Sequence, residues 1–166
     1  NVCPGAEDEI IALVTRRPRL GKLALRLEER RLDRNPHKVV ESVSKNWTAA
    51  DRKLVLCDPQ RYRKLIETLR ETLRCGPCGL LRDIRLLGSG WGFQICQISG
   101  VPVSIWQGGC DRIVTPSMGR YFHRAIAGSE LTIDPKAGHV TMFKWHAHEI
   151  LAQFGGFRGD PDAASM

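Results

Sequence analysis

The chain has 166 residues, of which 42% are hydrophobic, and its formal net charge is +7 at pH 7. This length predicts one domain with an ordinary core, and no apolar run is long enough to cross a bilayer, so we do not expect a membrane protein. The arginines of residues 16–34 alternate with acidic residues and have no aromatic neighbours for base stacking, which predicts a solvated helix face and no nucleic-acid partner.

The first 95 residues have helical patterns throughout. An apolar segment over residues 7–15 stops at Pro18, and apolar residues then recur at helical spacing up to Leu32. The apolar face of this second helix consists of Leu20, Leu23, Ala24 and Leu27.

Start signals divide the rest of this region into further helices. Pro36 permits a helix over residues 37–44, and Thr48 with Asp51 has the form of a capping box ahead of residues 54–56. Asp58-Pro59 starts a longer helix that ends at Gly76-Pro77. One face of that helix carries Tyr62, Ile66, Leu69 and Leu73, and a short helix over residues 80–87 follows it.

The pattern then changes to two strands with helices after them. The predicted strands are Val101–Trp106 and Ser129–Asp134, joined by a helix that starts at Thr115-Pro116 and ends at Gly128. A last helix is expected over Thr141–Phe154, with a frayed tail over residues 155–166. A helical crossover makes the strands parallel. Because parallel sheets are buried on both faces, the pair is expected to be one edge of a larger sheet.

An acid and an imidazole follow the two strands. Asp111 comes after Gly108-Gly109, and His139 comes after Gly138. Adjacent parallel strands lie roughly 5 Å apart, and open α/β sheets place catalytic groups at their carboxyl ends. The two side chains are therefore candidates for the acid and base of a hydrolytic triad, although each alone would be read as a turn residue.

Residues from about Thr48 to Phe154 resemble the C-terminal part of an α/β-hydrolase-fold protein. The resemblance implies a partial α/β-hydrolase fold: a helical cap-like region over residues 1–95, part of the hydrolase core over 96–154, and a tail over 155–166. It rests on Ala50-Asp51-Arg52, Asp83 with Leu86-Leu87, Trp91-Gly92-Phe93, Val101–Gly108, Asp111–Pro116 and Gly138-His139.

By this resemblance Asp111 is the catalytic acid and His139 the catalytic base. The implied substrate of a complete relative is a small ester- or amide-like molecule, with no cofactor and no metal. The family's nucleophile stands in a Gly-x-Ser-x-Gly elbow, which none of the 166 residues forms, and Ser89 lacks flanking glycines at the right offsets. We therefore expect the chain to be inactive alone. Its uncovered sheet edge should also favour self-association.

Three other interpretations remain open at this point. A non-catalytic binding or regulatory protein could also have this fold without the nucleophile. Cys75-Gly-Pro-Cys78 has the letters of a redox dithiol, but no strand is predicted before it, so a helix stop is favoured. His146 and His148 with Glu149 suggest a metal, but residues two apart do not share a helix face, so a solvated face is favoured.

Cysteine usage and the N-terminal residues give expectations about the cellular compartment and about the start of the chain. The six cysteines have no framework spacing, which predicts reduced thiols and a cytoplasmic protein. Residues 1–9 have no signal-peptide pattern and the first residue is Asn1, so we expect either a processed N-terminus or a segment of a longer product. The cysteines are Cys3, Cys57, Cys75, Cys78, Cys96 and Cys110.

Overall fold

The computed structural model describes residues 16–87 and 89–153. The predictions made for residues 7–15, Cys3, Phe154 and the tail lie outside the described residues. The described residues form seven α-helices and two strands, and five of the helices come before the first strand.

The helices that follow Pro36, Thr48 and Asp58 start within one residue of the predicted positions, whereas the helix expected over residues 80–87 begins two residues earlier, at Cys78. Thr48 and Asp51 form the predicted capping box, and the Asp58 carboxylate accepts hydrogen bonds from two backbone N–H groups of the helix it precedes. The bounds are α1 (Pro18–Arg34), α2 (Pro36–Val43), α3 (Ala49–Leu56), α4 (Pro59–Leu73) and α5 (Cys78–Leu87), followed by a 3₁₀ helix (Ile95–Gln97).

Helix α1 buries a different face from the predicted one. Leu25 and Leu32 are its buried leucines, and Leu25 packs with Ile84 of α5. The predicted face is instead exposed, with Leu20, Leu23 and Leu27 at 45%, 54% and 54%. The prediction was wrong because α1 is apolar on two sides, and spacing alone does not say which side meets α2, α4 and α5.

The second part of the chain is a β-α-β-α unit, as predicted. Strands β1 (Ser104–Gly108) and β2 (Glu130–Asp134) are parallel and in register from Ser104↔Glu130 to Gly108↔Asp134. Helix α6 (Pro116–Ala125) connects them, and α7 (His139–Ala152) follows β2. The fold is thus a mainly helical region followed by a two-stranded parallel unit.

Several boundaries differ from the sequence prediction by one to three residues, and the starts of β1 and of the last helix are two of them. Strand β1 begins three residues later, at Ser104, because Pro102 has no N–H to donate; only the Val103 carbonyl joins the ladder, accepting from Glu130 N at 2.9 Å. Helix α7 begins two residues earlier, at His139. His139 is therefore the first residue of a helix and not a turn residue, and its side chain is held by helical backbone.

Large apolar side chains remain exposed around the β-α-β-α unit. Val101, Phe143 and Trp145 are 61%, 60% and 48% exposed, respectively. Self-association through such surface stays a prediction. None of the helices in the described ranges is long and apolar enough to cross a membrane.

Candidate active site

The turns that follow β1 and β2 are joined by backbone hydrogen bonds. Gly109 N donates to the Asp134 carbonyl at 2.7 Å, and Cys110 N donates to the Ala137 carbonyl at 2.9 Å. A Cβ at position 108 would lie 2.5 Å from the Gly138 carbonyl oxygen, so only glycine permits this approach. The glycines predicted to turn the chain therefore also bring the two strand ends into contact.

Asp111 is held rigidly at the end of β1. One carboxylate oxygen accepts hydrogen bonds from the backbone N–H groups of Ile113 and Val114, at 2.8 and 3.0 Å. The buried Gln107 side chain donates to the Val114 carbonyl at 2.8 Å and so fixes the far end of this turn. Asp111 itself is 7% exposed. Its second oxygen remains available for one further donor.

That donor is His139. Its Nδ1 lies 2.9 Å from the second carboxylate oxygen of Asp111. Because an ionised carboxylate can only accept a hydrogen bond, Nδ1 carries the hydrogen and the neutral ring keeps a lone pair on Nε2. No hydrogen bond within the described ranges reaches Nε2, and the side chain is 40% exposed. The two residues predicted from the strand ends are thus in contact, with one accessible basic nitrogen.

Asp51 also belongs to this site, although the sequence suggested for it only a local capping role. This carboxylate is fully buried and caps the N-terminus of α7, 88 residues further along the chain. It accepts hydrogen bonds from His139 N at 3.0 Å, Val140 N at 3.0 Å, and Thr141 N and Oγ1 at 2.7 and 2.9 Å.

These bonds keep the Asp51 carboxyl ionised. Burial opposes ionisation, but the hydrogen bonds from Thr141, Thr48 and His139 outweigh it and lower the pKa of Asp51 below its ordinary value. A hydrogen bond to a charged group contributes roughly 1.5–3 kcal/mol. Two sequence signals named Asp51, the capping box with Thr48 and the Ala50-Asp51-Arg52 motif of the family resemblance, and neither indicated its contact with α7.

An open groove of about 280 Å³ lies beside the pair. His139 and Phe143, one turn apart on α7, both line it, and Val114 and Met142 add apolar surface. A larger depression of about 440 Å³ is lined by α4 residues alone, with no imidazole among them. Of these two concavities, only the groove is lined by Asp111 and His139.

A second Asp–His pair stands at the end of β2. Nε2 of His146 lies 2.8 Å from the Asp134 carboxylate, and Nδ1 lies 3.1 Å from Glu149. The side chain of His146 is 21% exposed, and its ring packs against Trp106 at an interplanar angle of 39°. The predicted solvated face was therefore wrong for His146, which bridges two carboxylates, while His148 is exposed. With both ring nitrogens engaged, His146 has no free lone pair for base catalysis.

This second pair should make stability depend on pH. The hydrogen bonds that His146 donates to Asp134 and Glu149 raise the pKa of His146 above its ordinary 6.5, and the bond from His146 lowers the pKa of Asp134 below 3.8. The stabilisation that comes with a raised imidazole pKa is complete below pH 6.5, and it is lost as the pH rises through the folded-state pKa. A lowered carboxyl pKa stabilises it above 3.8, and this is lost as the pH falls.

We accordingly expect His146→Gln to lower the urea midpoint most at about pH 5–6 and progressively less towards about pH 9. His148→Gln is the matched control, because the exposed His148 should leave the midpoint unchanged at every pH. A constant difference between wild type and His146→Gln across this range would show that the pair contributes nothing by ionisation.

Among the described residues, no serine contacts His139. Ser89 donates its hydroxyl hydrogen to the Leu86 carbonyl and forms no hydrogen bond with Asp111 or His139. Ser129 lies 3.1 Å from His123 Nδ1, but its hydroxyl also approaches the carbonyl oxygens of Ile126 and His123 at 2.9 and 3.2 Å. A hydroxyl that caps the end of α6 in this way is structural.

The thiols at Cys75 and Cys78 are both free and exposed. Cys78 begins α5, and Cys75 follows α4 across a turn in which Gly76 has a φ of +76°. The pair therefore links two helices, and residues 16–74 contain no strand before it, whereas a redox dithiol normally follows a strand.

Comparison with known proteins finds relatives that match part of the chain. The chain is 42% identical over 90 residues to the pimeloyl-[acyl-carrier protein] methyl ester esterases of Neisseria meningitidis serogroup A and serogroup C. The alignment covers 54% of this chain but 28% and 35% of those relatives, so the chain spans about a third of their length. No protein-family model and no solved structure matches the chain.

The relatives are α/β-hydrolases, and the parallel β-α-β-α unit with its buried Asp–His pair agrees with that fold. The chain is therefore similar over about half its length to these α/β-hydrolases, and its described residues form a mainly helical region followed by a parallel β-α-β-α unit.

Proposed function

We propose that Asp111 and His139 are the acid and base of a serine-hydrolase triad whose nucleophile comes from a part of the fold outside these 166 residues. The observation that carries this proposal is the 2.9 Å contact between His139 Nδ1 and the buried Asp111 carboxylate, which leaves Nε2 free. Asp111 would hold the ring in one tautomer and stabilise the imidazolium that forms when Nε2 takes the serine proton.

The proposed reaction is hydrolysis, or acyl transfer, of a small ester- or amide-like substrate. The names of the relatives specify a methyl ester, which supports an ester substrate for the complete protein. The apolar side chains of Phe143 and Met142 in the groove suit an acyl chain better than a charged group. Residues 1–95 would act as the cap that shapes the pocket, residues 96–154 as part of the core, and residues 155–166 as a tail.

The chain alone is expected to lack turnover. Its rate with a p-nitrophenyl ester should equal that of its His139→Ala variant, because a base without a nucleophile and an oxyanion hole gives no triad catalysis. Robust turnover that is lost on His139→Ala would show that a nucleophile lies within these residues and would contradict the proposal.

The coding sequence upstream of Asn1 supplies the complementary test. The proposal expects a strand followed by Gly-x-Ser-x-Gly in the same reading frame. A start of translation at Asn1 would remove the nucleophile altogether. The groove beside Phe143 would then favour the alternative of a non-catalytic binding protein with the same shell.

A further inference from the structure

We infer that Asp51 is a positioning residue that fixes His139 from the helical region, a role that rests on the proposed function of the Asp111–His139 pair. His139 is the first residue of α7, so the direction of its side chain depends on how that helix begins. The helix begins on a carboxylate that belongs to α3, a different part of the chain.

Helix α7 has no side chain at its N-cap to accept the hydrogen bonds of its first turn, although Thr141 Oγ1 accepts from Gly138 N at 2.7 Å. Its N-cap residue is Gly138, which has no side chain to accept the hydrogen bonds of the first turn. Those donors, the N–H groups of His139, Val140 and Thr141, all go to the two oxygens of Asp51. Asp51 therefore replaces the missing local cap.

Asp51 also takes part, with Thr48, in the capping box of its own helix, α3. The hydroxyl of Thr48 accepts from Asp51 N at 3.0 Å, and Thr48 N donates to the Asp51 carboxylate at 3.3 Å. A capping box for α3 alone would leave the carboxylate free to face solvent, yet Asp51 is fully buried. Its burial follows from the contact with α7, so the local motif does not account for it.

The contact is also close enough to restrict position 138. A Cβ on Gly138 would overlap the Asp51 carboxylate and would lie 2.6 Å from Thr48 Oγ1. The glycine before His139 thus allows the first turn of α7 to rest directly on α3. The backbone of His139 is fixed by Asp51 while its ring is fixed by Asp111, so two carboxylates orient one imidazole.

The test uses the 166-residue chain and reports on His139 without turnover. The ¹⁵N resonances of the imidazole give the fraction of neutral rings with the proton on Nδ1, the tautomer that Asp111 selects. Asp51→Asn keeps the side-chain shape but replaces one acceptor oxygen by an NH₂ donor. We expect this fraction to fall at least twofold and the His139 amide to exchange with solvent at least tenfold faster.

Val55→Ala is the matched control, because Val55 is buried one turn further along α3 and does not contact His139 through a hydrogen bond. It should destabilise the chain and leave the His139 tautomer as in wild type. If Asp51→Asn also keeps the wild-type tautomer and exchanges its His139 amide no faster than Val55→Ala, Asp51 is merely structural and the inference is wrong.

Two further variants separate the possible failures. If Asp51→Asn does not fold, Thr141→Val removes the hydroxyl that donates to Asp51 and accepts from Gly138 N, and it should lower the Nδ1–H fraction. Thr141→Ser keeps both bonds and should not lower it; equal fractions in the two variants would overturn the inference. Asp111→Asn reports on the proposed function. An unchanged tautomer in that variant would disprove the Asp111–His139 pairing, while the amide exchange of Asp51→Asn would still decide the role of Asp51.

Discussion

His139→Ala is expected to lower kcat/KM for a p-nitrophenyl ester on the order of 10⁶-fold in the polypeptide that contains the nucleophile elbow. Asp111→Asn should lower it on the order of 10⁴-fold, because an amide in place of the carboxylate favours the wrong tautomer of the ring. Both residues act through one contact, the 2.9 Å bond to Nδ1. The double variant should therefore be no worse than His139→Ala alone, since residues that act as a unit are not additive.

The second Asp–His pair provides a control of the same chemistry in the same protein. His146 lies on the same helix as His139, and Asp134 ends the strand next to that of Asp111. Both nitrogens of His146 are hydrogen-bonded to carboxylates. His146→Gln and Asp134→Asn should therefore change kcat/KM by no more than a few-fold, when measured at a temperature at which both variants are folded. A loss in these variants comparable to that of His139→Ala would mean that the wrong pair has been assigned to catalysis.

Local signals predicted the parts of this fold that depend on short stretches of chain. The capping box at Thr48 and the Asp58-Pro59 start lie where the sequence placed them, since each involves residues within one helical turn. The meeting of Asp111 and His139 was also predictable. Parallel strands end at the same edge of a sheet, and each residue follows a glycine turn at such an end.

Contacts between distant segments were beyond the same reasoning. Nothing near Gly138 in the sequence indicates that Asp51 caps the helix after it, and this long-range cap is why α7 begins at His139 and not later. The pairing of His146 with Asp134 was missed for a related reason. Periodicity places His146 on a helix face but does not say which strand that face meets.

Gly108→Ala is expected to cost about 3 kcal/mol of folding stability, near the upper end for an overpacked site. The added Cβ would meet the carbonyl oxygens of Gly138 and Ala137 at 2.5 and 2.8 Å. Both are backbone atoms, so neither can rotate away as the end of a flexible side chain would. Relief requires the two turns to separate, which breaks the Cys110–Ala137 hydrogen bond and moves Asp111 away from His139.

Gly79→Ala is the matched control with the opposite sign. Gly79 lies within α5, and no atom would come within 4 Å of an added Cβ. Alanine there should stabilise the chain by up to about 1 kcal/mol, because it restricts the unfolded chain and favours the helix. Urea unfolding of both variants measures the difference between a glycine required by close approach and one that is not. Midpoints that move in the same direction would show that the approach of the two strand ends is looser than the structure has it, and that Asp111 and His139 are held together by their own hydrogen bond alone.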